Sequence, residues 1–310
     1  MFTALPSPSP STVALPFPYH YVPTGWICAS FVVLFTLSGG AHISQAFRHH
    51  TLWLLPTAVF CAVLEIVGWG ARLWSSFDPH ILLPFKIQII GTIIGPTPLI
   101  AADFIILGRI IQRLGTRYSR LSPRLYSIIF VSCDIPSLFV QAVGATTASV
   151  EVGREEDPRH GGNIMLIGIS FQMAVLTVYI LLASEFMIRY FLDAPVRSDA
   201  VRYHTISTNG RGRLTPKLRT LLGALGYNTT CLLIRAIYRT LELKDGFAGR
   251  IISTERLFNI LDGAMIVFAI VTLNVVHPGT YLAVDDGEAA REETEVEMRL
   301  KEAGLWYHRF

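Results

Sequence analysis

Of 310 residues, 51% are apolar and only 16% are charged, which leaves little to build but helices that cross a membrane. The formal net charge of +3 rests on arginines clustered between the apolar stretches, where they read as orientation signals before nucleic-acid contacts, so no nucleic-acid partner is expected. Seven stretches are long enough, at about 20 residues, to cross a hydrocarbon core of roughly 30 Å.

In chain order, residues 1–23 contain no Lys or Arg and are rich in Pro and Ser. They read as a short disordered extracellular tail, not as a cleaved signal peptide, which would begin with a basic segment. The expected spans are 24–47, 52–74, 81–107, 125–150, 162–188, 217–241 and 255–276. The loop after span three carries Arg109, Arg113, Arg117, Arg120 and Arg124, and the loop after span five carries Arg189, Arg197, Arg202, Arg211 and Arg213. Arginine-rich short loops stay in the cytoplasm. On the opposite side residues 75–80 carry no Lys or Arg and the two remaining loops only Arg154 and Arg159, then Lys244 and Arg250, so the N-terminus is expected outside and the C-terminus inside. The expected fold class is therefore all-α, an integral membrane bundle of seven transmembrane helices. Residues 24–279 form the membrane domain and residues 280–310 a solvated cytoplasmic tail of alternating acidic and basic groups. Asn228-Thr229-Thr230 matches a glycosylation acceptor but lies inside span six, where it is expected to be unmodified.

Cys28, Cys61, Cys133 and Cys231 all fall within spans, so they are assigned to packing. The expected external loop 150–162 offers no cysteine of the kind that staples many heptahelical receptors.

Ionisable side chains at bilayer depth cost several kcal/mol each unless paired or hydrated, so they point to structure or function. One layer lies in the outer half: Glu65 and Arg72 on span two, Arg235, Arg239 and Glu242 on span six, Glu255 and Asp262 on span seven. Separations of seven, four, three and seven residues put successive members on shared helix faces. The four carboxylates outnumber the three arginines by one, with Lys86 expected nearby. Two readings stand side by side: an ion-pair network that sets helix register, or the lining of a hydrated cavity that holds the polar head of an amphipathic substrate. A surplus carboxylate suits an ammonium group. A second layer nearer the cytoplasm comprises Asp103, Arg109, Asp134, Glu185 and Arg189. Gln141, seven residues after Asp134, and Gln172 at mid-depth of span five are expected either to join the layers as a polar track or to bridge helices. Gly91, Gly95, Pro96 and Pro98 interrupt span three, and Pro136 permits a kink in span four.

The set Glu65-Ile-Val-Gly68-Trp69-Gly-Ala-Arg72, Ala101-Ala102 with Gly108-Arg109, Asp134 with Gln141 and Gly144, Gly168 with Gln172, Arg235-Ala-Ile-Tyr238-Arg239-Thr-Leu-Glu242 with Gly246 and Gly249, Glu255 with Asp262, and His277-Pro278-Gly279 resembles the fungal lipid-translocating exporter family. This family is also called RTA-like or 7-aminocholesterol-resistance-like. The sequence departs from its pattern at Trp69, Phe104 and Asn259, where tyrosines are usual, and at Asp103, an added carboxylate. The resemblance implies a fungal membrane protein that moves sphingoid long-chain bases or related toxic amphiphiles across the bilayer, contributing to lipid asymmetry and drug resistance. It also implies membrane lipids as partners and residence in the plasma membrane, with an internal membrane as the alternative.

Enzyme chemistry is not expected. A zinc hydrolase in the membrane needs several ligands converging about 2.0–2.2 Å from the metal, whereas of nine histidines only His42 lies in a span. No lysine in span seven offers a Schiff base, and no phosphate-cradling Gly-rich loop occurs, so neither a cofactor nor a resident metal is expected. The two function classes that remain are a transporter of amphiphilic cations and a heptahelical sensor or regulator of lipid homeostasis that signals through its cytoplasmic loop and tail.

Overall fold

The computed structural model describes residues 21–154, 156–196, 212–246 and 249–282. The tail expectations for 1–23 and 280–310 lie almost wholly outside these residues, as do Arg197, Arg202 and Arg211. Among the described residues, seven helices are long and apolar enough to cross a membrane: α1 (Gly25–Arg48), α2 (Leu52–Phe77), α3 (Leu82–Leu114), α4 (Pro123–Gly153), α5 (Arg159–Phe191), α6 (Pro216–Asp245) and α7 (Glu255–Val275). No strand occurs among the described residues. This is a multi-pass integral membrane protein.

Local chemistry sets the helix ends. The Thr215 hydroxyl accepts from the Leu218 N–H at 3.3 Å, and Pro216 follows at a position whose own N–H would be unsatisfied, so α6 begins there. Gly115, at φ 124°, takes a backbone conformation that few side-chain-bearing residues tolerate and stops α3. Several helices outrun the apolar stretches that announce them. Arg109 and Arg113 are not loop residues but lie in the last turns of α3, and Arg124 lies in the first turn of α4. The backbone goes on hydrogen-bonding after the hydropathy falls, because long arginine side chains reach the interface from inside a helix.

Each helix packs against its neighbours in sequence, and α1 meets α7 to close the ring. There His42 Nε2 donates to the Ile270 carbonyl at 3.1 Å and the Gln45 amide to the Asn274 carbonyl at 2.9 Å. α3 is the most enclosed helix and touches α2, α4 and α6. The outer surface is apolar: Phe139, Leu181 and Ile167 are 71%, 64% and 66% exposed. An apolar exterior around buried ionisable groups is the arrangement a bilayer solvent requires.

Beyond the tight and wide turns that open α2 over Leu52–Val59, two irregularities shape the interior. α3 breaks at Gly95, between Leu82–Ile94 and Pro96–Leu114, and α7 carries a wide π-type turn over Asn259–Ala264. Such turns are frequent where a helix re-aims a functional side chain. Pro136, by contrast, lies inside an unbroken α4, so only α3 is interrupted as expected.

Candidate functional site

The face at which α1 begins is termed the N-side and the face at which α7 ends the C-side. Towards the N-side, helices α2, α3, α6 and α7 enclose a polar network centred on Asp262, which is fully buried within the π-type turn. Arg239 grips Asp262 with two hydrogen bonds, Nε to Oδ1 at 2.7 Å and Nη2 to Oδ2 at 2.9 Å. Its Nη1 donates to Glu242 at 2.9 Å and Nη2 also to the Thr92 hydroxyl at 2.8 Å. Glu242 accepts from the Tyr238 hydroxyl at 2.9 Å. Arg235 Nε lies 3.0 Å from Asp262 Oδ1, completing a pair of guanidiniums on one carboxylate. The Arg239 grip, charge-assisted and two-pronged, is the stronger kind of hydrogen bond, and burial removes competing water.

The break in α3 supplies a further partner. Pro96 has no N–H to give the Thr92 carbonyl one turn earlier, and Arg235 donates to that freed carbonyl. Thr92 therefore serves both arginines, one through its carbonyl and one through its hydroxyl.

Arg72, 1% exposed, donates to the Tyr21 hydroxyl at 2.6 Å and lies 3.9 Å from Glu255. Its guanidinium sits 4.4 Å from the Phe258 ring centre and 5.7 Å from that of Trp69, within cation–π range. Glu255 is also fastened to the start of α1, accepting from the Thr24 N–H at 2.7 Å and its hydroxyl at 2.8 Å. Trp69 stacks on Phe31 with centroids 4.0 Å apart, and only a glycine at 263 admits it, since a Cβ there would stand 2.4 Å from the indole.

Glu65 is different. It is fully buried beside Asp262, Arg235 and Arg239, yet neither carboxylate oxygen has a hydrogen-bond partner. The Trp69 indole N–H, one turn on, is near it but closes no bond either. The carboxyl is wedged against the α3 break, where a Cβ on Gly95 would stand 2.4 Å from Oε1.

Beyond Arg235, the Gln141 amide donates to Gln172 at 3.1 Å, and the Gln172 amide donates to the Thr97 hydroxyl at 2.8 Å. These glutamines, with Ile93, Pro96, Ile169, Leu232 and Arg235, line a cavity of about 10 Å³, room for a single water. A second hollow, about 30 Å³, opens nearer the N-side between Tyr21, Arg72, Gln88, Arg239, Glu242 and Phe258. Ile93 lines both, so the two follow one another along α3.

The structure thus brings Glu65, Arg72, Arg235, Arg239, Glu242, Glu255 and Asp262 together and sets Gln141 and Gln172 beside them. It does not bring Asp134 in. That side chain is buried on α4 with Oδ2 unpartnered, and the polar track does not reach it. Lys86 is likewise apart, lying against Gly153 at the end of α4. The expected second layer is not one cluster. Asp103 accepts from Asn228 at 2.6 Å and Thr229 at 3.1 Å on α6, Arg109 stacks over the Trp53 ring at 4.6 Å, and Glu185 pairs with Arg120 and Arg189, each at 2.7 Å. Charge spacing along single helices says nothing of which helices face each other, which is why the layer divides. The sequence alone does not mark Thr92, Thr97 or Tyr21 as site residues, and Tyr238 stands there only as part of a motif, although a proline four residues after Thr92 is a signal of its freed carbonyl.

The model of the RTA1-like protein family matches residues 58–285, which include every charged member of the network. The chain belongs to the RTA1-like family. It is 27% identical over 271 residues to the sphingoid long-chain base transporter RSB1 of Saccharomyces cerevisiae, covering 81% of this chain and 70% of that protein. It is 26% identical over 285 residues to Protein RTA1 of the same yeast, covering 84% of each, and 25% identical over 293 residues to its protoporphyrin uptake protein 1, covering 83% of this chain and 90% of that one. No solved structure matches.

Proposed function

We propose that this RTA1-like protein is a membrane transporter that moves sphingoid long-chain bases or chemically similar amphiphilic cations across the bilayer, and not an enzyme. The observation that carries the reading is the charge inequality of the buried network: three guanidiniums face four carboxylates, and Glu65 is left without a hydrogen bond. A protonated sphingoid base presents one ammonium and neighbouring hydroxyls on a long alkyl tail. The ammonium suits Glu65, the hydroxyls suit the Gln141 and Gln172 amides, and the tail stays in lipid between helices. One relative's name supports the same class of cargo, since it is a transporter of such bases.

In this reading the N-side faces outward and the arginine-rich C-side faces the cytoplasm, in accord with the distribution of basic loops. The protein resides in the plasma membrane, where export limits the toxicity of such compounds and adjusts the lipid composition of the two leaflets. A cavity of about 10 Å³ is far below the size of a head group, so the described state is closed and cargo requires separation of α3 from α6. The same tight packing favours the second reading, a regulator that binds an amphiphile without passing it on.

Flux of a labelled sphingoid base through liposomes containing only this protein separates the two. The transporter reading expects movement well above protein-free vesicles; movement at the protein-free rate overturns it.

A further inference from the structure

Glu65 has no structural task that its surroundings reveal. Arg235 is engaged with Asp262 and the Thr92 carbonyl, and Arg239 with Asp262, Glu242 and the Thr92 hydroxyl, so neither donates to it. The ionisable groups facing it are Asp262 from α7, Arg235 and Arg239 from α6, and Cys61 one turn earlier on α2. α3 contributes Thr92 and the Gly95 backbone, which do not ionise. A carboxylate held dry without a hydrogen bond costs several kcal/mol, and a carboxyl proton removes that cost. The position matters as much as the burial. Glu65 presses on Gly95, and Pro96, the next residue, lines the cavity that also holds Arg235, Gln141 and Gln172. Only the interrupted turn of α3 separates this carboxyl from the cavity.

Resting on the transport reading above, we infer that Glu65 exchanges a proton for the ammonium group of the cargo, making the protein an antiporter of protons and amphiphilic cations. In the closed bundle the Glu65 carboxyl carries its proton. When the N-side half of α3 swings about the Gly95–Pro96 break, the carboxyl meets the cavity and an arriving ammonium. The carboxyl O–H bond breaks, the proton passes to water, and an ion pair between the ammonium and the carboxylate takes its place. One positive charge replaces another, so the charge of the site is the same before and after. On the opposite face, water returns a proton to Glu65 and the ammonium leaves. Each cation exported thus brings one proton inward, with no net charge moved.

The test uses the purified full chain and an N-trimethylated sphingoid base, whose fixed charge neither crosses as a neutral amine nor supplies a proton. Binding in weakly buffered detergent is expected to release about one proton per cation, all of it from the protein. In liposomes, a gradient of about one pH unit, acidic on the trans side, is expected to drive up to about tenfold accumulation against a balanced control. The accumulation should disappear with a proton–potassium exchanger and in Glu65→Gln. Flux indifferent to the gradient, with no proton release, overturns the exchange and leaves transport standing. Flux absent for both the trimethylated and the native base overturns transport and the exchange together. Should Glu65→Gln fail to fold, the two wild-type measurements decide alone.

Discussion

Two clusters of arginines and carboxylates, at opposite ends of the same bundle, have little in common beyond composition. At the C-side, Arg120 and Arg189 share Glu185, and Arg117 pairs with Asp193 at 3.2 Å while also meeting the Tyr118 hydroxyl, itself bonded to Asp193. Arg113 reaches the Leu282 carbonyl, and the Val196 and Gly212 N–H groups donate to the carbonyls of Arg117 and Leu114 at 2.9 and 3.0 Å. These contacts tie loops to helix ends, and the side chains are wet: Arg120 is 56% exposed. Towards the N-side, Asp262 is fully buried and Arg239 is 7% exposed. An exposed pair gains little, because water and salt serve each partner nearly as well. A buried pair stands on an unrecovered loss of hydration, so removing one member strands the other. The C-side cluster is fastening; the buried one is expensive in a way that fastening does not require.

That contrast is broken most forcefully at Asp262. Asp262→Asn leaves Arg235 and Arg239 facing each other without their shared anion, and is expected to abolish base flux and to lower stability by about 3–5 kcal/mol. Thermal unfolding in detergent alongside liposome flux checks both. Gly95→Ala comes next. The added Cβ would stand 2.4 Å from Glu65 Oε1, so the carboxyl or the α3 break must shift, with a loss of about 1–3 kcal/mol and a clear fall in flux. Asp103→Asn sharpens the comparison from a different direction. Asp103 is as buried as Asp262 but is satisfied by Asn228 and Thr229, outside the network. The expected cost is about 1–3 kcal/mol in stability, with flux per folded molecule unchanged.

At the C-side the effects are small. Arg120→Ala is expected to leave both flux and unfolding temperature near wild type. His277, buried beside His49 and near His42, is held down to about 4, mainly by burial. Its unfolded value is near 6.5, so the unfolded chain binds the proton first as pH falls. Its contribution to stability is full above about pH 6.5 and is lost between there and pH 4. His277→Gln should flatten that part of a stability–pH curve.

The sequence made some of this plain and hid the rest for physical reasons. Span count follows from length and hydropathy, which do not depend on neighbours, and Arg235, Arg239 and Glu242 reveal a shared face by spacing alone. Helix ends are less visible, because Arg109 and Arg113 look like loop residues while the backbone remains helical. Which face meets which is a matter of packing, so Asp134 reads as equal to Asp262 although no polar side chain reaches its Oδ2. Asn228 looks like a glycosylation acceptor and is instead the partner of Asp103. Thr92 carries no charge at all; its importance arises from a proline four residues away that withholds a hydrogen bond. The smallness of the cavity is a matter of side-chain fit, which no pattern of residue types encodes.

The central claim is that the unpaired carboxyl at position 65 receives the cargo's charge. Liposome flux of a labelled sphingoid base through Glu65→Gln, compared with wild type at equal unfolding temperature, tests it most directly. The account predicts flux at the protein-free level; flux equal to wild type would contradict it.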